Sequence, residues 1–296
     1  MFISNKLVYI QLEKTACTHI ASLLSKYIGG TQFKKHNTID KYNQNKLLNS
    51  NQLIVGSIRN PWDWYVSLWA FATKGDERIY KNVTKRSLRN ALKTYSGVDE
   101  PGNFICWFKQ KPFQRSLNTI FNSYRGLRSE CNKPVNIWQE CYRNPEEVAN
   151  FRRWLKLIYN PNRAYDLGIG YGQNPLSKVA GLMTYRYCRL YTQNFFEESK
   201  KQQLTTITEL TNFEREFNIL DETIQVENLE SDLISVLQKA NYQLSPEQYN
   251  SIIQSPKTNK SKHLDTSDYY DAETIDLIAE KEKLIIDKYS YSPPLI

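Results

Sequence analysis

Lys14, Thr15 and Thr18 stand in the short polar stretch EKTACTH, between the apolar run KLVYIQL (Lys6 to Leu12) and a helical apolar pattern from His19 to Ile28. A strand, a tight lysine-bearing turn and a helix start together make an anion site. The first backbone N–H groups of a helix have no partner within it, and the helix dipole favours negative charge there. Lys14 adds a point charge, and the two threonines add hydroxyl donors. The same stretch also fits a capped helix after a strand, with an incidental lysine. The GxxxxGK[ST] pattern of ATP-binding loops is absent. A second group follows the apolar run Gln52 to Arg59, which ends in RNPWDWYVSLW. Arg59 is expected at a strand's carboxyl end, where open α/β sheets bind ligands. Ser67, eight positions on, lies two helical turns away, so a guanidinium and a hydroxyl can clamp a second anionic group.

The elements that must carry these residues are legible from periodicity. Lys6 to Leu12 and Gln52 to Arg59 read as buried strands, and Glu222 to Glu227 as a further one. Helices are expected over His19 to Ile28 with Gly29-Gly30 as the stop, Thr38 to Leu48, Trp62 to Phe71 with Pro61 opening its first turn, Tyr185 to Phe195, Leu229 to Ala240 and Asp271 to Tyr289. Gln32 to His36 reads as a short extended piece. Strands alternating with helices predict an α/β fold with a P-loop-like central parallel sheet flanked by helices. From about 75 to 165 the pattern changes to basic and aromatic residues, and a mainly helical insertion is expected within one domain spanning 1–296.

The 296 residues carry a formal net charge of +8, which favours an anionic partner without choosing among nucleotide, nucleic acid, glycan and membrane surface. The five cysteines show no CxxC spacing and only His19, His36 and His263 accompany them, so no metal site is expected. A reducing cytoplasm suits these cysteines. No stretch is long and apolar enough for a transmembrane segment, and no targeting pattern is visible.

At both motifs the chain resembles the sulfotransferases that use 3′-phosphoadenosine 5′-phosphosulfate (PAPS), particularly the carbohydrate sulfotransferases. KLVYIQLEKTACTHI is similar to their first strand and 5′-phosphosulfate loop, and LIVGSIRNPWDWYVSLWAF to the element that holds the 3′-phosphate. IQVENLESDL resembles the late strand and helix, and NKSKHLDTSDYYDAETIDLIAEKEKLIIDKYSY the C-terminal block. The resemblance implies that Lys14, Thr15 and Thr18, with Ala16 and Cys17 between them, hold the 5′ end, and that Arg59 and Ser67 hold the 3′-phosphate. It further implies that the basic segment SPKTNKSKH closes over the nucleotide through Lys257, Asn259 and Ser261; a solvated loop fits that segment too. Glu13 and Cys17 depart from the family, where proline and glycine are usual. Glu13 is therefore expected to point away from the sulfate or to pair with a basic neighbour, and Cys17 to be a small packed side chain rather than a reactive thiol.

The implied reaction is an in-line sulfuryl transfer, in which Lys14 stabilises the leaving oxygen and no metal is required. The acceptor hydroxyl, on a glycan by resemblance, needs a base. His36 is the candidate, because imidazole titrates near neutrality and KKHNTID looks like the region where the carbohydrate enzymes place a histidine. A surface histidine in a basic turn is the alternative, and Glu13 a weaker base. In the insertion, Lys81, Lys85, Arg86, Arg89, Lys93, Lys109, Lys111 and Arg115, with Trp107, Phe108 and Phe113, are expected to border the acceptor cleft as a region, most of them as core aromatics and solvated cations. A small-molecule kinase on a related phosphate loop and a basic nucleic-acid-binding protein are the competing classes. The missing Walker glycine and the Arg59–Ser67 pair oppose the first. The absence of a recognition motif opposes the second, and a nucleic-acid partner is not expected.

Overall fold

The computed structural model describes residues 1–39, 51–75, 77–88, 113–168, 170–202, 204–255 and 263–295. Five strands form one sheet in the order β3-β1-β2-β4-β5: β1 (Phe2–Ile3), β2 (Leu7–Tyr9), β3 (Thr31–Gln32), β4 (Leu53–Ile58) and β5 (Glu222–Gln225). β2, β4 and β5 run parallel, with Tyr9 opposite Val55 and Val55 opposite Glu222. The expected sheet is thus parallel in its middle, but β1 pairs antiparallel with β2, and β3 antiparallel with β1, so the whole is mixed. Two residues each suffice for β1 and β3, a length too short for periodicity to reveal.

Alternate residues of β2 enter different cores, as a pleated strand requires. Leu7 and Tyr9 pack with Ile20, Leu23 and Leu24 of α1 (Cys17–Ile28) and with Leu233 and Leu237 of α11 (Leu229–Lys239). Val8 and Ile10 join a second core containing Trp62, Trp64, Tyr65 and Trp69 of α2 (Pro61–Ala72) and Tyr187 and Tyr191 of α8 (Leu182–Tyr191). The same core takes in residues from several helices of the region that replaces a βαβ pattern, among them Ile79, Val83, Trp138, Phe151 and Trp154. That region comprises α3 (Arg78–Val83), α4 (Phe113–Cys131), α5 (Val135–Cys141) and α6 (Val148–Ile158), followed by the short α7 (Leu176–Val179). The remaining helices are α9 (Phe195–Lys201), α10 (Ile207–Phe217), α12 (Pro246–Ile253), α13 (Thr266–Tyr269), α14 (Ala272–Lys281) and α15 (Lys283–Tyr289). The described part of the 75–165 stretch is helical, as expected; the predicted helix over Thr38 to Leu48 falls largely outside the described residues.

Two expected helices are shorter than their apolar patterns. The one predicted over Tyr185 to Phe195 begins earlier and ends at Tyr191, where Thr192 turns extended and bridges Asn218. The C-terminal one divides at Glu282. Its side chain is fully buried at the start of α8, where the Met183 and Thr184 amides donate to it at 3.2 and 2.8 Å. The hydroxyls of Thr184, Tyr65 and Tyr159 donate to the same carboxylate at 2.6, 2.5 and 3.2 Å, and the Tyr65 oxygen accepts from the Leu182 amide at 3.0 Å. Three first-turn N–H groups that helix geometry leaves open are thereby satisfied. Residue 181 has to be glycine, because a Cβ there would stand 2.0 Å from Glu282 Oε1.

Burial raises the Glu282 carboxyl pKa above its ordinary value of 4.5, against the pull of its hydrogen bonds. The folded protein therefore binds this proton more tightly than the unfolded chain does. The contribution to stability is complete below about pH 4.5 and is lost as pH rises through the folded value. Glu282→Ala, which strands five donors, should cost at least about 3 kcal/mol in urea unfolding. Glu282→Gln should cost less and should lack this component of the pH dependence.

Candidate active site

β2 and β4 part after Ile10. The Ile10 amide still donates to the Val55 carbonyl at 2.8 Å, but two residues on, the Ser57 backbone bonds a side chain instead. The Tyr191 hydroxyl accepts from the Ser57 N–H at 2.9 Å and donates to the Ser57 carbonyl at 2.8 Å. It occupies the place where a longer β2 would continue the ladder, and Gly56 gives it room, since a Cβ there would lie 2.9 Å from its ring. The carboxyl ends of two neighbouring parallel strands thus diverge into loops, the situation in which α/β sheets form ligand crevices.

The loop from Gln11 to Ala16 lines this crevice. Lys14 and Ala16 both have left-handed backbone, with φ of 66° and 52°. For residues other than glycine this conformation costs on the order of 1–2 kcal/mol each, and it persists where its surroundings impose it. Left-handed residues on either side of Thr15 curl the chain so that its N–H groups can face one concave side. α1 then starts with no side-chain cap and no acidic residue in its first turn. Beneath the loop runs a buried chain of hydroxyls, with Tyr9 to Ser57 at 2.7 Å, Ser57 to Thr15 at 2.6 Å and Thr15 to the Leu12 carbonyl at 2.9 Å. A carbonyl only accepts, so each hydroxyl in this chain donates toward the loop. The Thr15 side chain is committed to holding the turn, and what remains for a ligand there is its backbone.

Lys14 is partly buried, with Nζ 3.9 Å from the centroid of the Phe71 ring. Burial, and next the like charge of Arg59, lower its pKa from 10.5 to about 8, with Lys74 adding to the effect. Arg59 makes no hydrogen bond or ion pair with the other described residues that would neutralise it. Glu77 acts in the opposite direction but does not outweigh burial and these cations. Ser67 is buried on α2, one turn before Phe71 and one turn after Asp63, whose carboxylate accepts from the Thr266 hydroxyl. That bond, with the Tyr270 hydroxyl donating to the Trp62 carbonyl at 2.8 Å, ties the C-terminal block to the same helix. Thr18 is exposed, and its oxygen accepts from Lys35 Nζ at 3.4 Å. Cys17 is packed in the core beside Ile20, its thiol pKa raised by burial, which agrees with a packed rather than a reactive side chain.

His36, also left-handed (φ 55°), lies against the other side of the loop with Nδ1 2.9 Å from the Gln11 carbonyl. Because the carbonyl can only accept, Nδ1 carries the proton and Nε2 is left as the lone pair. Burial lowers the imidazole pKa from 6.5, although Glu13 pulls it upward, so the ring is neutral at pH 7. Burial opposes the charge of Glu13, but Arg186 and then His36 hold its pKa below 4.5.

The structure thus brings Lys14, the loop backbone, Arg59 and His36 to one edge of the sheet. Lys257, Asn259 and Ser261 lie outside the described residues, as do Arg89, Lys93, Trp107, Phe108, Lys109 and Lys111. Sequence reasoning missed Phe71, which its spacing of four from Ser67 on a helix could have indicated, and Arg186 and Tyr191, for which only the fold supplies a signal. Among the described residues no group of His, Cys, Asp and Glu is placed to hold a metal, and no helix is long and apolar enough to cross a membrane. Comparison with known proteins finds no matching family model, no matching curated protein and no matching solved structure.

The lowered Lys14 pKa has a measurable consequence. An anion beside Lys14 favours the charged ammonium, so an anion that binds there at pH 8.5 should take up protons. Calorimetry in buffers of different ionisation enthalpy measures this uptake, and Lys14→Met should abolish most of it.

Proposed function

We propose that this chain is a PAPS-dependent sulfotransferase, built on a P-loop-like sheet, that transfers a sulfuryl group to an acceptor hydroxyl on a carbohydrate. The observation that carries the reading is the pairing of Lys14 with Arg59 at one carboxyl edge, two cations that repel until an anion joins them. The residues fit such a nucleotide. A curled, uncapped loop suits one anionic end, and Arg59, with Ser67 on the adjoining helix, suits a second, separate phosphate. When bound, PAPS supplies the activated sulfuryl group.

In this reading Lys14 meets the charge that develops on the leaving oxygen. Its ammonium is held by the Phe71 ring, and a partly dehydrated cation interacts more strongly with a developing anion than a solvated one. The loop amides orient the group that moves. Arg59 and Ser67 hold a phosphate that does not react. His36 takes the acceptor's proton at Nε2, with Nδ1 fixed on the Gln11 carbonyl so that the ring presents the lone pair. A reducing, cytoplasmic setting belongs to the proposal and is supported by Cys17, Cys131, Cys141 and Cys188, all free thiols.

Incubation with labelled PAPS and a panel of glycan, lipid, alcohol and tyrosine-peptide acceptors, read by mass spectrometry for added sulfate, tests this. Transfer to none of them, together with tighter binding of ATP than of adenosine 3′,5′-bisphosphate, would replace the reading with a kinase-type transferase. Lys14→Ala should lose most activity, on the order of 3–4 kcal/mol of transition-state stabilisation. Arg59→Ala should weaken nucleotide affinity more than Ser67→Ala, because a charge-assisted contact exceeds a neutral one; calorimetry gives both. His36→Ala should lower turnover by about 10²–10⁴-fold with nucleotide affinity unchanged, and should remove the acid limb of the rate profile.

A further inference from the structure

Arg186 is buried on α8, with its guanidinium carbon 5.5 Å from the centroid of the Trp64 ring and Nη2 3.6 Å from Glu77 Oε1. Its Nε and Nη1 are buried and have no hydrogen-bond partner among the described residues. Trp64 also reaches the loop, because its indole N–H donates to the Glu13 carbonyl at 2.7 Å. Glu13 Oε2 is likewise buried and without a partner. One tryptophan thus brings together a buried cation with open donors and a buried carboxylate with an open acceptor. Buried polar atoms are nearly always bonded, so such a concentration beside a proposed base calls for a role.

The charges around the pair are few and can be named. Arg186, His36 and Arg189 act on Glu13. Glu13, Arg186, the Met1 amino group and the Gln11 carbonyl act on His36. Glu77 is the carboxylate at the far side of Arg186. A buried carboxylate acting on an imidazole would ordinarily stabilise imidazolium and so hold a proton on the ring. A buried guanidinium opposes that twice, by repelling imidazolium and by drawing the carboxylate's charge to itself.

We infer that Arg186 is a positioning residue whose buried charge offsets that of Glu13 and thereby keeps the His36 imidazole free to accept a proton. The inference rests on the reading of His36 as the base, but its test does not require activity. In the full chain without substrate, the His36 ring titration is followed by NMR. Arg186→Met should move it up by about one pH unit, the lower end of what a neighbouring charge produces. Arg186→Lys, which keeps the charge, should stay near wild type, and Glu13→Gln should move the titration down. In an active protein the acid limb of the rate profile should follow the ring. A merely structural arginine would lower stability and leave the titration in place. If Arg186→Met does not fold, Glu13→Gln decides alone. An unchanged His36 titration in Glu13→Gln, or in a folded Arg186→Met, overturns the inference. Moved titrations in a protein that transfers no sulfuryl group would instead uphold it and count against the proposed function.

Discussion

The buried Glu282 carboxylate, set against the first turn of α8, fixes more of this protein than any residue of the crevice. With the Tyr65 hydroxyl it bonds the Leu182, Met183 and Thr184 amides, and so determines where α8 begins and how it points. Tyr191 at the other end of that helix replaces the missing ladder partner of Ser57, and the Ser57 hydroxyl supports Thr15 in the loop. The middle of the same helix supplies Arg186. A carboxylate in the C-terminal block therefore reaches the N-terminal loop through one helix and a run of hydrogen bonds. Each bond replaces water that burial has removed, and leaving any of them unmade would cost about 1–3 kcal/mol.

The loop itself is a case of local strain maintained by its surroundings. Three residues close to the crevice, Lys14, Ala16 and His36, are left-handed without being glycine. None of these conformations is preferred by the residue that adopts it. They are imposed by the Thr15 bond to Leu12, by the Trp64 bond to Glu13 and by the His36 bond to Gln11, which grip three successive carbonyls of the loop. That grip commits the Gln11, Leu12 and Glu13 carbonyls to groups within the protein.

Electrostatics in the region divide into two overlapping groups. On the crevice side, Lys14, Arg59 and Lys74 outnumber the nearby carboxylate of Glu77, and Lys14 is the group whose pKa falls. Around Glu13, the charges of Arg186, His36 and Arg189 act together, and the carboxylate is the group held charged. Cations thus outnumber carboxylates in both groups, and Glu77 belongs to both, acting on Lys14 and lying 3.6 Å from Arg186. The charge of Glu13, which would repel an anion, is offset by the cations around it.

What the sequence determined by itself is what short-range patterns encode. The apolar run in KLVYIQL, the glycine pair after Ile28, proline at the first turn of α2 and the six apolar-rich residues of β4 each specify an element within one window of chain. Lys14 and Arg59 follow from these, because residues after adjacent parallel strands must emerge at the same edge. Tertiary structure alone decided the rest. Periodicity carries the C-terminal helix through Glu282 and cannot foresee that its side chain is drawn into α8, 98 to 100 positions away. It marks Tyr191 and Trp64 as core without assigning the polar end of either ring to a backbone group. It gives Thr15 a free hydroxyl, which burial beside Ser57 then consumes. The division has one physical cause: backbone preferences and hydrophobic alternation act between near neighbours, whereas the partner of a buried polar atom is set by whichever distant segment the fold brings within 3 Å.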